Sequence, residues 1–173
     1  MPRTASTTTT RAANAQRLTA CAADVLARVP GATLARDSAG RLTDIAVDHS
    51  EFAHLEAAQI EQVVAVMRAH GLTATVSSIH INGWIGEHSK WSAAHWAVQT
   101  VLGRPFDPAE WLYVGDSTND QTMFQQMPLS VGVANIARFW PQLQHRPRWV
   151  TRGERGQGFA EVVARLLQAR PRN

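Results

Sequence analysis

Two aspartates and an asparagine follow a short apolar run in the segment WLYVGDSTND, residues 111–120. Trp111–Val114 has the continuous apolar pattern of a parallel strand that is covered on both faces. Open parallel sheets bind ligands at the carboxyl ends of their strands, where Asp116, Asn119 and Asp120 are expected to lie. Because two carboxylates at close range repel each other, the arrangement favours a bound cation. Mg²⁺ is the candidate, since it takes oxygen ligands and is often held by one or two carboxylates.

The same residues are compatible with an acidic helix start. In that interpretation Asp116 or Ser117 is the N-cap, and Asp120 lies in the first turn near the positive end of the helix dipole. The residue types alone leave both interpretations open.

Lys90 is the only lysine in the chain, alongside sixteen arginines. It stands in EHSKWSAAHWAV, where a helix is predicted to begin. Lysine carries a compact point charge and arginine a planar fork, so a small pocket around one phosphate group can require lysine. A lone lysine on a helix is by default a solvated surface residue, and the residue alone does not decide between these roles.

The segment GDSTND resembles the fourth motif of the haloacid dehalogenase (HAD) superfamily. Its surroundings, from about residue 30 to about residue 168, are similar to the Cof-type, subfamily IIB phosphatases, which include sucrose-phosphate and mannosyl-3-phosphoglycerate phosphatases. Lys90 stands where that family has a lysine at the start of a helix. The family continues after the motif with a short helix, a Gly/Val/Ala strand, a further strand and a C-terminal helix, which match DQTMFQQM, LSVGVANI, PRWVT and GQGFAEVVARLL.

The resemblance implies an α/β fold made of the rear part of a HAD-like Rossmannoid core with parallel strands, plus part of an α/β cap of the C2 type. It implies that Asp116, together with Asp120, holds Mg²⁺ directly or through water. Asn119 and Asp120 would orient the metal's waters and the phosphate, and Lys90 would neutralise the phosphoryl group and the aspartyl-phosphate intermediate. These roles make physical sense, because phosphoryl transfer depends on positioning and on charge neutralisation. The implied activity is hydrolysis of a small phosphomonoester, a sugar or sugar-acid phosphate.

The nucleophile motif of the family, DxDx[TS], does not occur in this sequence. In HAD phosphatases its first Asp attacks phosphorus and its second is the general acid/base. The sequence therefore predicts a chain that supplies cap and rear core without the nucleophile, and the alternative is a non-catalytic HAD remnant or interaction module. In the family the nucleophile strand lies beside the strand matched by Trp111–Val114. We therefore expect self-association through an unpaired sheet edge.

The residues before Lys90 predict part of a cap domain over residues 12–82. A helix ends at Pro30-Gly31, and a second helix stops at Gly71. The predicted strands cover residues 32–35, 43–49 and 73–81. A linker over residues 83–89, with Gly83 and Gly86 as flexible points, leads to the core at residues 90–173. The Thr- and Arg-rich residues 1–11 are expected to form a disordered lead-in.

Within the predicted cap, Asp48, His80 and Asn82 are candidates for hydrogen bonds to sugar hydroxyls. They are equally compatible with the wet face of a half-exposed sheet. His80 and His88 match no common zinc spacing, so no transition-metal site is expected.

Composition limits the remaining classes. A single cysteine, Cys21, excludes an internal disulfide framework and fits a reducing cytoplasm, and its place on an apolar helical face predicts burial. No apolar run suits a bilayer span or a signal peptide, so a soluble cytoplasmic protein without a membrane partner is expected. The net charge of +3 comes from scattered arginines in a chain with 18% charged residues, and no nucleic-acid partner is expected.

Overall fold

A four-stranded antiparallel sheet forms the first of two units in the computed structural model, which describes residues 5–169. The chain divides into these units between Glu87 and His88. The division falls inside the stretch that the sequence predicts as a linker. None of the described helices is long and apolar enough to cross a membrane.

The sheet of the first unit has the order β1-β2-β4-β3, and all of its pairs are antiparallel. Its strands are β1 (Thr33–Leu34), β2 (Asp44–Asp48), β3 (Thr73–Val76) and β4 (His80–Trp84). Helices α1 (Ala5–Arg28) and α2 (Ala57–Ala69) pack against one face. The buried core of this unit contains Cys21, Val25, Val47, Val63, Met67 and Ile81.

The sequence predicts where these helices end, at Pro30-Gly31 and at Gly71, and α1 ends at Arg28 and α2 at Ala69, just before those residues. Glu56 and Gln59 form a capping box at the start of α2, and Gly71, with a φ of +71°, follows its end. Cys21 is fully buried, as predicted. Burial, with the negative charge of Asp24, raises the pKa of its thiol to about 11, so the thiol is neutral and inert.

Two features of this unit differ from the prediction. Helix α1 begins at Ala5, so residues 5–11 are helical where a disordered lead-in was expected; residues 1–4 lie outside the described part of the chain. No Gly or Pro interrupts the segment from Ala5 onward, and a helix can continue through it.

The stretch 73–81, predicted as one strand, is a hairpin of β3 and β4. Ser77 makes the turn: its N–H donates to the carbonyl of His80 at 2.8 Å, and its Oγ accepts from the N–H of His80 at 3.0 Å. Strand β4 therefore extends into the predicted linker, and Gly83 lies in the sheet. A Cβ at Gly83 would come within 2.8 Å of Met67 Sδ, so this glycine serves close packing rather than flexibility.

The second unit has a parallel sheet of order β5-β6-β7. Its elements are α3 (Lys90–Leu102), β5 (Tyr113–Gly115), α4 (Gln121–Gln126), β6 (Ser130–Gly132), β7 (Trp149–Val150) and α5 (Arg155–Ala169). The helix beginning at Lys90 and the succession of α4, β6, β7 and α5 after the acidic motif are as predicted. A 3₁₀ helix, Ala134–Gln142, was not predicted; it stands between β6 and β7 and includes the end of the segment LSVGVANI that was predicted as a strand. Among the described residues β5 pairs only with β6, so β5 is an edge strand.

Candidate active site

Asp120 is the centre of a polar cluster at the carboxyl end of β5. Its side chain is only 2% exposed. One carboxylate oxygen, Oδ2, accepts hydrogen bonds from the backbone N–H of Asp116 at 2.8 Å and of Ser117 at 3.1 Å. Ser117 is the N-cap of a short 3₁₀ helix, Thr118–Asp120, and forms a capping box with Asp120. The acidic helix start, one of the two sequence interpretations, is therefore present.

Capping does not explain the other oxygen of Asp120. Oδ1 accepts a hydrogen bond from Lys90 Nζ at 2.5 Å and another from Tyr113 Oη at 2.5 Å. Lys90 is the first residue of α3, thirty residues earlier in the chain, so the ion pair depends on the tertiary fold. The Lys90 side chain is 47% exposed, which leaves its ammonium group accessible from solvent.

Tyr113 is a neutral hydrogen-bond donor in this cluster. Burial raises the pKa of its phenol far above the ordinary value, and the charge of Asp120, the hydrogen bond to Asp120 and the charge of Asp116 add to the shift. Its hydroxyl therefore keeps its proton and donates it in the hydrogen bond to Asp120 Oδ1.

Asn119 joins the same cluster through its side-chain oxygen. Oδ1 accepts from Lys90 Nζ at 3.2 Å and from Ser117 Oγ at 2.8 Å. Lys90 thus donates to both Asn119 and Asp120. A lysine ammonium group has three N–H donors, so a third remains for another acceptor.

Asp116 occupies a different position from Asp120. Its side chain is half-buried and borders an open cleft of about 380 Å³, which is also lined by Val133, Arg155 and Phe159. Its Oδ2 accepts one hydrogen bond, from Asn135 Nδ2 at 3.2 Å. Among the described residues, the Asp116 carboxylate is therefore less engaged than that of Asp120.

Gly115 allows the strand to pass Asp120. A Cβ on this residue would lie 2.6 Å from both Cγ and Oδ2 of Asp120, which is closer than any side chain tolerates. The glycine of the motif is thus required by the buried carboxylate behind it.

The donor chemistry of the cluster suits Mg²⁺ rather than a softer metal. Asp116, Asp120 and Asn119 offer carboxylate and amide oxygens, and no cysteine or histidine takes part in the contacts that join them. Within residues 5–169 no group of three or more His, Cys, Asp or Glu side chains is placed to hold a metal. These three residues therefore present oxygen acceptors only, and among the described residues Asp116 is the carboxylate with the larger unused acceptor capacity.

The three predicted substrate-binding residues lie in the first unit. Asp48 is buried, and its two oxygens accept from the backbone N–H groups of Ser50, Glu51, Phe52 and Ala53. Although desolvation opposes the shift, the backbone hydrogen bonds and nearby His80 hold the pKa of Asp48 below its usual value. With four N–H donors on its two oxygens, Asp48 organises the loop after β2.

His80 and Asn82 share a face of the sheet. They alternate along β4 with Ile81, which is buried in the core, so both side chains lie on the face opposite α1 and α2. His80 Nε2 is 2.9 Å from Glu51 Oε2. Asn82 stands opposite Ala46 and Thr75 in the sheet, and it remains a candidate for a polar ligand contact.

Tyr113 and Asn135 are site residues that the sequence prediction did not include. Tyr113 had a usable signal, because a tyrosine in a covered strand needs a partner for its hydroxyl. Asn135 follows the second parallel strand, and the carboxyl ends of parallel neighbours share one edge of the sheet.

Comparison with solved structures places this architecture in a known fold class. The chain has the fold of part of the HAD-like hydrolases, which combine a Rossmannoid core with a cap domain, and a sucrose-phosphatase is among its structural neighbours. No protein-family model and no curated protein sequence matches it.

Three solved structures illustrate the likeness. A Thermoplasma acidophilum protein superposes with a TM-score of 0.62 at 15% identity, covering 87% of this chain and 61% of its own. The sucrose-phosphatase of Synechocystis, crystallised with sucrose and phosphate, has a TM-score of 0.61 at 15% identity, with 89% and 64% covered. A HAD/COF-like hydrolase from Plasmodium vivax has a TM-score of 0.57 at 17% identity, with 75% and 43% covered. The chain thus spans less than two thirds of each of these proteins. The predicted fold class and family resemblance are confirmed at the level of the fold.

Proposed function

We propose that the chain provides the cap and rear core of a magnesium-dependent HAD-type phosphohydrolase that acts on a phosphomonoester, a sugar or sugar-acid phosphate. The observation that carries the proposal is the convergence of Lys90, Asn119 and Asp120 at the carboxyl end of β5, with Asp116 beside them. The sugar-phosphate class rests on the structural likeness to a sucrose-phosphatase.

Lys90 is the residue that we assign to the phosphoryl group. Two of its three N–H donors are engaged by Asp120 and Asn119, which fixes the direction of the third. An ammonium group held in this way neutralises charge on a phosphoryl oxygen without reorganising during the reaction. Asp120 and Asn119 act through Lys90, by orienting it.

Asp116 is the residue that we assign to Mg²⁺. Its carboxylate has free acceptor capacity and faces the open cleft. When bound there, the ion supplies charge neutralisation for the phosphoryl oxygens. The family resemblance requires an aspartate nucleophile from a DxDx[TS] motif to complete the site, and that motif is not in this sequence.

The metal assignment is tested by binding, not by turnover. We expect Asp116→Asn to weaken Mg²⁺ binding at least about tenfold, because the change removes the charge of the ligand that we assign to the ion. Mn²⁺ titration followed by electron paramagnetic resonance, with Mg²⁺ competition, measures the affinity.

Asp107→Asn is the matched control for that experiment. Asp107 is an exposed N-cap that accepts from Ala109 N at 3.0 Å, and asparagine caps equally well. It makes the same change of charge away from the site. A parent chain that binds no Mn²⁺, or an equal loss in both variants, contradicts the assignment.

The second candidate function is a non-catalytic interaction module, and exposed apolar surface in the second unit favours it. A groove of about 710 Å³ lies between the sheet and α5, lined by Leu112, Val131, Val162 and Leu166. Trp149 at its rim is 47% exposed, and β5 offers an unpaired edge among the described residues. Such surfaces promote association.

We therefore expect chain 1–173 to self-associate at micromolar concentration. Size-exclusion chromatography with light scattering measures the assembly. A monomer at every concentration, with a sharp cooperative melt, contradicts this expectation. The DNA sequence upstream of the Met1 codon distinguishes the two candidate functions. An in-frame stretch that encodes an apolar strand followed by DxDx[TS] supports the enzyme, and its absence supports the interaction module.

A further inference from the structure

Asn135 bridges Asp116 and Arg155, two of the residues that line the open cleft. It is 9% exposed and follows β6 at the edge where β5 ends. Its Nδ2 donates to Asp116 Oδ2 at 3.2 Å, and its Oδ1 accepts from the backbone N–H of Arg155, the first residue of α5, at 2.9 Å.

The chemistry of its two neighbours fixes the orientation of the Asn135 amide. A backbone N–H can only donate, so the atom facing Arg155 is the oxygen. A carboxylate can only accept, so the atom facing Asp116 is the nitrogen. A flipped amide would place donor against donor and acceptor against acceptor, and only this orientation satisfies both contacts.

The segment that carries Arg155 is constrained, which gives Asn135 a firm support. Arg155 has a φ of +49°, a conformation that costs a non-glycine residue free energy. The following turn is tightly packed, because a Cβ at Gly158 would meet the carbonyl oxygen of Gly153 at 2.3 Å. Ala134 N donates to the same carbonyl oxygen at 3.1 Å, so the residue before Asn135 is held against this turn.

We propose that Asn135 is a positioning residue that holds the Asp116 carboxylate by one oxygen, so that the other oxygen is presented for a metal ion. This inference rests on the proposed function and deepens it. Hydrogen-bond partners of a ligating carboxylate fix its direction, and their loss commonly weakens metal binding by about 10- to 100-fold.

The contact itself is tested without metal by a double-mutant cycle. The parent, Asn135→Ala, Asp116→Ala and the double variant are unfolded with denaturant in the presence of a chelator. We expect the double variant to lose less stability than the two single variants together, because each single change already breaks the hydrogen bond. Additive effects would overturn the proposal.

Asn135→Asp provides a second cycle in case the alanine variant does not fold. Its carboxylate can still accept from Arg155 N, but it repels Asp116 instead of donating to it. We expect Asp116→Ala to stabilise the chain in this background, the opposite of its effect in the parent. Destabilisation of similar size in both backgrounds would overturn the proposal.

Metal affinity separates positioning from general support of α5. We expect Asn135→Ala to weaken Mn²⁺ binding about tenfold. Glu161→Ala is the control, because Glu161 Oε2 accepts from the N–H groups of Arg152 and Gly153 and so ties down the same turn without reaching Asp116. Unchanged affinity in Asn135→Ala, or equal weakening in the control, overturns the proposal. A parent that binds no Mn²⁺ refutes the proposed function instead, and the metal-free cycles still decide whether Asn135 holds Asp116.

Discussion

Purified chain 1–173 is expected to hydrolyse p-nitrophenyl phosphate with Mg²⁺ no faster than a matched blank. Hydrolysis of phosphate monoesters is extremely slow without a catalyst, and enzymes accelerate it by up to ~10²¹-fold. Charge neutralisation by Lys90 and a metal supplies part of that factor. The covalent route that divides the reaction into two steps needs a nucleophile, and the DxDx[TS] motif that provides it in the HAD family is not in this sequence.

Neither aspartate of the site is suited to replace the missing nucleophile. Asp120 is 2% exposed, and its two oxygens accept from four donors within 3.1 Å. Asp116 is assigned to the metal and is held by Asn135. A nucleophilic carboxylate needs a free lone pair directed at phosphorus, which Asp120 does not have.

The activity measurement includes an internal control for contaminating phosphatases. Phosphate release is followed for the parent and for Asp116→Asn, prepared in the same way. Robust turnover that Asp116→Asn abolishes contradicts the expectation, because it requires a complete site within these residues. Turnover that persists in both proteins comes from another enzyme.

The parallel strand before the acidic motif illustrates what sequence reasoning can predict. A continuous apolar run followed by Gly115 predicted a strand that delivers Asp116 and Asp120 to the edge of a sheet, and β5 does so. The predicted strand starts at Trp111, whereas β5 starts at Tyr113, because its partner β6 begins pairing at Ser130. The start of a strand is thus set by the neighbour it pairs with, which local sequence does not contain.

The β3–β4 hairpin shows why a turn can be missed. Serine is a weaker turn signal than Gly, Pro, Asn or Asp, and the residues between Val76 and His80 are Ser77, Ser78 and Ile79. Ser77 makes the turn through its backbone and hydroxyl contacts with His80. The apolar alternation also shifts by one residue at this point, since Ala74 and Val76 are followed by Ile79 and Ile81, and this shift was a usable signal for the turn.

The sequence predicted the site residues that belong to a recognisable motif, but not those that join the site only through tertiary contacts. Asp116, Asn119, Asp120 and Lys90 were predicted from the resemblance. Hydrogen bonds join the side chains of Lys90, Asn119 and Asp120, whereas Asp116 contacts Asp120 through its backbone N–H and turns its carboxylate to Asn135. Asn135 belongs to the site because the carboxyl ends of the parallel strands β5 and β6 lie side by side, and this pairing is not visible in the local sequence. The roles of the four in catalysis stay predictions.

Asp120→Asn is expected to destabilise the second unit by about 3 kcal/mol, the cost of leaving a buried polar group facing the wrong partners. Lys90 and Tyr113 donate to one oxygen, and the N–H groups of Asp116 and Ser117 donate to the other. In Asp120→Asn an NH₂ group replaces one of these oxygens. Whichever oxygen it replaces, the two groups that donated to that oxygen then face another donor. The change also removes the negative charge that pairs with Lys90.

The side chain at position 120 has little room to escape this conflict. Gly115 packs directly against the Asp120 side chain, so closely that a Cβ on residue 115 would clash with it. The expected loss is a large fraction of the 5–15 kcal/mol that stabilises a typical domain. Because Lys90 is 47% exposed, water can solvate its ammonium group after the change, and the cost stays below that of a fully buried ion pair.

Denaturant unfolding of the parent, Asp120→Asn and Asp107→Asn measures this difference. Both variants exchange one carboxylate for an amide, but Asp107 is exposed and accepts from a single N–H, that of Ala109. We expect the control to change the free energy of unfolding by less than about 1 kcal/mol. If Asp120→Asn costs no more than the control, the four-donor cluster does not hold the carboxylate as described. The orientation of Lys90 toward a phosphoryl group would then lose its physical basis.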